Sequence, residues 1–126
     1  MTIEAFRAAV EAYDLDAMMD LFAENVRFHS PIVYKTYEGK DELRFVLAGV
    51  MQVFEDLAYV GEYRSDTGGV LHFQARIGDR EIDGIDLLEF GADDLCQDFT
   101  VMVRPYSSAT LLRERMAALL QVATES

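Results

Sequence analysis

Three turn signals punctuate the second half of the chain: "DTGG" at 66–69, "GD" at 78–79 and "GADD" at 91–94. Each separates runs rich in aliphatic and aromatic residues, and this spacing predicts four consecutive antiparallel strands over 57–65, 70–77, 80–90 and 95–104. Strand side chains alternate between two faces, so the hairpin lengths assign each residue a side. A four-residue loop pairs Phe90 with Leu95, which sets Asp86 opposite Phe99 and Asp98 opposite Leu87. A two-residue Gly78-Asp79 turn sets Asp86 opposite Leu71 and Gly84 opposite Phe73. One face then gathers Leu71, Phe73, Leu88, Phe99 and Val101 around Asp86, its one charged member. The other mixes His72, Asp83 and Asp98 with the apolar Ile85, Leu87 and Met102.

The first half reads as helix, helix, strand, loop and helix. Ile3, Phe6, Val10 and Tyr13 recur at helical spacing, and after Asp14, a helix-capping residue, Met18, Leu21 and Phe22 continue the pattern. "NVRFHSPIV" alternates as a strand up to Pro31, where a backbone donor is lost, and "PIVYKTYEGK" follows as a loop. From Asp41, the spacing of Leu43, Val46, Leu47, Val50, Met51 and Phe54 predicts a long amphipathic helix. A cap at Ser107 or Ser108 opens a last helix with Leu112, Met116, Leu119 and Leu120 on one face. Helices covering one face of a curved sheet make an α+β fold, and 126 residues without a linker read as a single domain over 1–126.

Charge narrows the partners. Eleven basic against 23 acidic residues give a net charge of −12, which repels phosphate backbones and anionic lipid, so neither nucleic acid nor a membrane is expected. The N-terminus lacks the basic start and apolar core of a signal peptide, which places the chain in the cytoplasm. The lone Cys96 reads as a small buried hydrophobe. No histidine, cysteine or glycine spacing suggests a metal site or a phosphate loop, so no cofactor is expected.

The element order, together with "DLDAMMDLFAENVRFHSP", "YEGKDELRFVL", "REIDGIDLLEF" and "FTVMVRP", resembles the SnoaL-like branch of the nuclear transport factor 2-like superfamily along essentially the whole chain. The resemblance implies a conical fold, a curved antiparallel sheet wrapped around the long helix, with a pocket between them and a homodimer formed through the sheet's outer face. Ile85, Leu87, Thr100 and Met102 would lie in that interface. Relatives of this fold catalyse isomerisation, cyclisation or hydrolysis, and others only bind.

Asp86 matches the hydrogen-bond-donating aspartate of the ketosteroid isomerases in this superfamily, a carboxylic acid kept protonated in an oxyanion hole. Two other positions depart: the proton-abstracting aspartate corresponds to Ser30 and the helix-borne tyrosine to Phe6. A serine without an activating partner is no base at neutral pH, so that isomerase mechanism is not expected. The epoxide hydrolase and cyclase relatives place an aspartate on the last strand, where this chain has Val101. The expectation is a pocket for a small apolar molecule, with Asp86 as acid or base and Ser30, Tyr34, Tyr37, His29, Phe73, Leu88, Phe99 and Val101 around the substrate. A binding or interaction domain without catalysis is the alternative.

Overall fold

A computed structural model describes the backbone of residues 2–125 and the side chains of residues 3–119. Leu120, expected on the last helix's apolar face, lies outside the described side chains. Helices α1 (Thr2–Glu11) and α2 (Leu15–Met19) lead into strand β1 (Phe22–His29). Asp14 caps α2 as expected, its Oδ1 accepting from the Ala17 N–H at 3.1 Å. Phe22 starts the strand rather than ending the helix, because α2 closes at Asp20 after little more than one turn.

The stretch expected to be loop contains a short strand, β2 (Thr36–Glu38), which returns antiparallel to β1 with Tyr37 opposite Phe28. Next come α3 (Lys40–Val53), β3 (Glu55–Arg64), β4 (Gly68–Ile77), β5 (Arg80–Phe90), β6 (Cys96–Arg104) and α4 (Tyr106–Glu125). Ser108 does not cap α4: it sits inside the first turn, and its hydroxyl donates to the Glu81 carbonyl at 2.6 Å, tying the helix to β5.

The six strands form one curved sheet in the order β2-β1-β6-β5-β4-β3. Five strands were expected and four of them form the meander; the unexpected relation is between β1 and β6, which run parallel. Parallel neighbours need a long connection, and here α3 and the rest of the meander supply it. Helices α1, α3 and α4 bury their apolar sides on the concave face with Phe6, Leu43, Leu47, Leu112 and Met116. At roughly 1.5–3 kcal/mol for each large apolar side chain buried, this layer is what holds the helices on the sheet.

The β4–β5 register is the expected one, with Leu71 opposite Asp86 and Phe73 opposite Gly84. Between β5 and β6 the expected register needs correction: Asp86 faces Val101, not Phe99, and Asp98 faces Glu89, not Leu87. Phe90 pairs with Cys96 and not with Leu95, and a bulge between Glu89 and Phe90 adds one residue more, so the pairing moves by two residues along most of the ladder. Because side chains alternate with period two, a slip of two leaves each residue on its assigned face. Asp86 and Asp98 are therefore on opposite sides, as expected.

Candidate functional site

Asp86 is flanked on the concave face by Leu71 and Val101 across the ladders and by Leu88 along its own strand. It is 7% exposed. Such a position strips the carboxyl of water, which raises the energy of its charged form. Tyr59 on β3 partly compensates, its hydroxyl donating to Asp86 Oδ2 at 2.6 Å. Burial wins the contest and pushes the Asp86 carboxyl up to about 7, with the Tyr59 hydrogen bond pulling the other way. Tyr59 is itself held well above the ordinary tyrosine range, first by burial and then by the negative charge of Asp86, so it stays protonated as a donor.

Tyr59 reaches the acid because of what β4 and β5 leave open. It pairs with Phe73, which in turn pairs with Gly84, two residues from Asp86. A Cβ at Gly84 would come within 2.5 Å of the Phe73 ring and 2.8 Å of the Met102 carbonyl, so only glycine lets that ring lie across the strand. Phe73 then supports Tyr59 edge to face, with ring centroids 6.3 Å apart.

These groups open into a cavity of about 70 Å³ between α3 and the sheet. Phe6, Phe28, Leu47, Phe54, Phe73 and Phe99 form much of its wall, and among the described residues only Ser30, Tyr59 and Asp86 contribute a side-chain oxygen. The Ser30 hydroxyl accepts the Ile32 N–H at 3.2 Å, so its proton is free to be donated elsewhere. An apolar chamber with few convergent polar groups, one a carboxyl poised to titrate near neutrality, is suited to orient a small molecule and exchange a proton with it.

Of the side chains expected around a substrate, Ser30, Phe73, Phe99 and Val101 line this cavity, and Leu88 is buried in the core beside it. The structure places the others elsewhere. His29 is the last residue of β1 and projects to the convex face, where its Nε2 lies 2.9 Å from Asp98 Oδ1. Arg27 holds the other oxygen of Asp98 at 2.9 Å. Tyr34 is fully exposed, and Tyr37 rests on Phe28 at a centroid distance of 6.0 Å, outside the cavity lining. Strand alternation explains His29: Val26 and Phe28 are buried inward, so their neighbour must point out.

Sequence reasoning missed Tyr59. A bulge in the β3–β4 pairing between Tyr59 and Gly61 breaks the count from the "DTGG" turn, so hairpin arithmetic cannot assign its face. The available signal was local: Leu57 and Tyr59 alternate, and both line the cavity.

Cys96 is fully buried, donates to the Asp98 carbonyl at 3.3 Å and has its thiol pushed up to about 12 by burial, which makes it a packing residue. Among the described residues, no group of three His, Cys, Asp or Glu side chains is placed to hold a metal. No helix of the described residues is long and apolar enough to cross a membrane.

Several solved structures share this fold. A steroid delta-isomerase from Pseudomonas aeruginosa is 35% identical, with a TM-score of 0.93 over 99% of this chain and 93% of that one. An uncharacterised bacterial protein with a cystatin-like fold, from Silicibacter pomeroyi, is 34% identical, with a TM-score of 0.93 over 98% of this chain and 88% of that one. A putative ketosteroid isomerase from Kribbella flavida, 16% identical with a TM-score of 0.67 over 81% of this chain and 74% of that one, has the same architecture. No curated protein matches the sequence. The model of the SnoaL-like domain matches residues 3–99, and the chain belongs to the SnoaL-like domain family, within the nuclear transport factor 2-like superfamily.

Proposed function

We propose that this SnoaL-like chain, acting as one domain over residues 1–126 in the cytoplasm, takes up a small and largely apolar molecule and exchanges a proton with it through Asp86, without a cofactor. The observation that carries this reading is the Tyr59–Asp86 pair, a 2.6 Å hydrogen bond at the wall of a largely apolar cavity. A carboxyl poised near 7 exists in both forms at physiological pH, which suits it to either half of a proton transfer. Tyr59 holds the acid in place, and Ser30 has a hydroxyl proton to offer a substrate oxygen. The likeness to a steroid delta-isomerase directs attention to carbon acids next to a carbonyl. With Ser30 and Phe6 where the isomerases carry their base and tyrosine, Asp86 is the group left to accept the proton.

The test is hydrogen–deuterium exchange at the α-carbon of small cyclic ketones in deuterated buffer, followed by proton NMR. Wild type should accelerate exchange with an apparent pKa near 7, and Asp86→Asn should reduce it by about a hundredfold or more. Exchange that survives the substitution removes Asp86 from the mechanism.

A second reading, a binding domain without turnover, is favoured by Ser30 and Phe6, since two expected members of the isomerase site are absent. A ligand carried through purification and identified unchanged by native mass spectrometry, with no exchange of any ketone, would support it. In either reading the convex face, where Met102 is 53% exposed beside Ile85, Leu87 and Thr100, suits a homodimer contact. Sedimentation should give a dimer that Leu87→Asp converts to a monomer.

A further inference from the structure

The cavity around Asp86 runs into a more open groove, because Ser30, Ile32, Val46 and Met116 line both. The groove adds Tyr37 from β2 and Arg113 from α4. Most cations of this acid-rich chain lie within 4.0 Å of a carboxylate, as Arg27 does with Asp98 and Arg44 with Asp16. Arg113 is exposed, and among the described residues it has no carboxylate at that distance. Its helical neighbours three and four positions away, Ala109, Thr110, Met116 and Ala117, carry no charge. A second cation lies nearby, for the Lys35 ammonium stands 4.8 Å from the centre of the Tyr37 ring.

We propose that the ligand is an amphiphilic acid whose apolar body fills the cavity and whose carboxylate rests in the groove against Arg113. This rests on the small-molecule reading above and names the class of molecule. The planar guanidinium offers paired donors that match a carboxylate. In a chain of net charge −12, an entrance bearing an exposed arginine is a local attraction for anions that the rest of the surface repels. The far end of the cavity gives the carboxylate no competing site, since it is apolar and holds another acid, Asp86. An amphiphilic acid is thereby oriented with its apolar carbons against Tyr59 and Asp86.

Calorimetric titration at pH 8 with decanoate and with 1-decanol tests the assignment, using wild type, Arg113→Gln and Arg113→Lys. Wild type should bind decanoate more tightly than decanol. Arg113→Gln should weaken decanoate by roughly three- to tenfold and leave decanol unchanged, while Arg113→Lys keeps part of the preference. If Arg113→Gln binds decanoate as wild type does, or loses decanol in parallel, the assignment to Arg113 is wrong. If wild type binds decanol but not decanoate, only the acid class falls. If it binds neither, the cavity reading falls with it.

Discussion

Three aspartates on two neighbouring strands meet opposite fates on the two faces of one sheet. Asp86 faces inward with a single partner, Tyr59, and burial raises its carboxyl to about 7. Asp83 faces outward, three residues earlier on the same strand, and the His72 hydrogen bond at 2.5 Å, aided by Arg104 at 3.3 Å, lowers its carboxyl. Asp98, also outward, lies between Arg27 and His29. The residue type is the same throughout, so chemistry here follows from the surroundings. On the concave face an acid can hold a proton near neutrality, whereas on the convex face acids serve as anions in ion-pair clusters.

The comparison can be broken at four points. The largest expected effect is in packing: Phe99, 1% exposed and stacked among Phe6, Phe22 and Phe28, should cost about 3–5 kcal/mol when changed to Ala. Met102→Ala on the convex face of the same strand should cost under about 1 kcal/mol in the monomer, so similar losses in urea denaturation would deny that the two faces differ.

Next in size is the pH dependence of Asp86. Its folded value of about 7 lies above that of an unfolded aspartate, so the native state keeps a proton that the unfolded chain releases between about pH 4 and 7. Wild type should lose stability as pH rises through that window, on the order of 3 kcal/mol between pH 5 and 8. Asp86→Asn has no such titration, so its advantage over wild type should grow by that amount. Parallel stability curves for the two proteins would place Asp86 in water.

Tyr59→Phe should sharpen the picture further. The lost hydrogen bond favours the ionised acid, so its removal should move the Asp86 carboxyl still higher and cost about 2 kcal/mol above pH 7, less below. Carboxyl carbon NMR titration reads the shift directly, and a downward movement would contradict the assigned direction.

The smallest effect belongs to the convex face. Asp83 has a lowered value, so its contribution is present above the unfolded aspartate pKa and fades as pH falls through the folded one. Being solvent-screened, it should yield under about 1 kcal/mol in Asp83→Asn, all of it at neutral pH and none in strong acid. A loss that persists at pH 2 would point to packing instead of charge.

What the sequence determined was mostly periodic and local. Alternation in "REIDGIDLLEF" assigned Asp86 to an apolar face, and helical spacing in "DELRFVLAGVMQVF" assigned the helix that covers it. The β5–β6 pairing was misjudged by two residues, yet the face survived because strand periodicity is two. Tertiary structure decided everything that depends on distance. It brought Tyr59 across β4 to Asp86, an encounter 27 residues apart in sequence that passes a bulge between Tyr59 and Gly61 and relies on the missing side chain at Gly84. It turned His29 outward to Asp98, exposed Tyr34 and set Arg113 beside the cavity mouth. Periodicity tells which way a side chain points, whereas its neighbour depends on how separate elements pack.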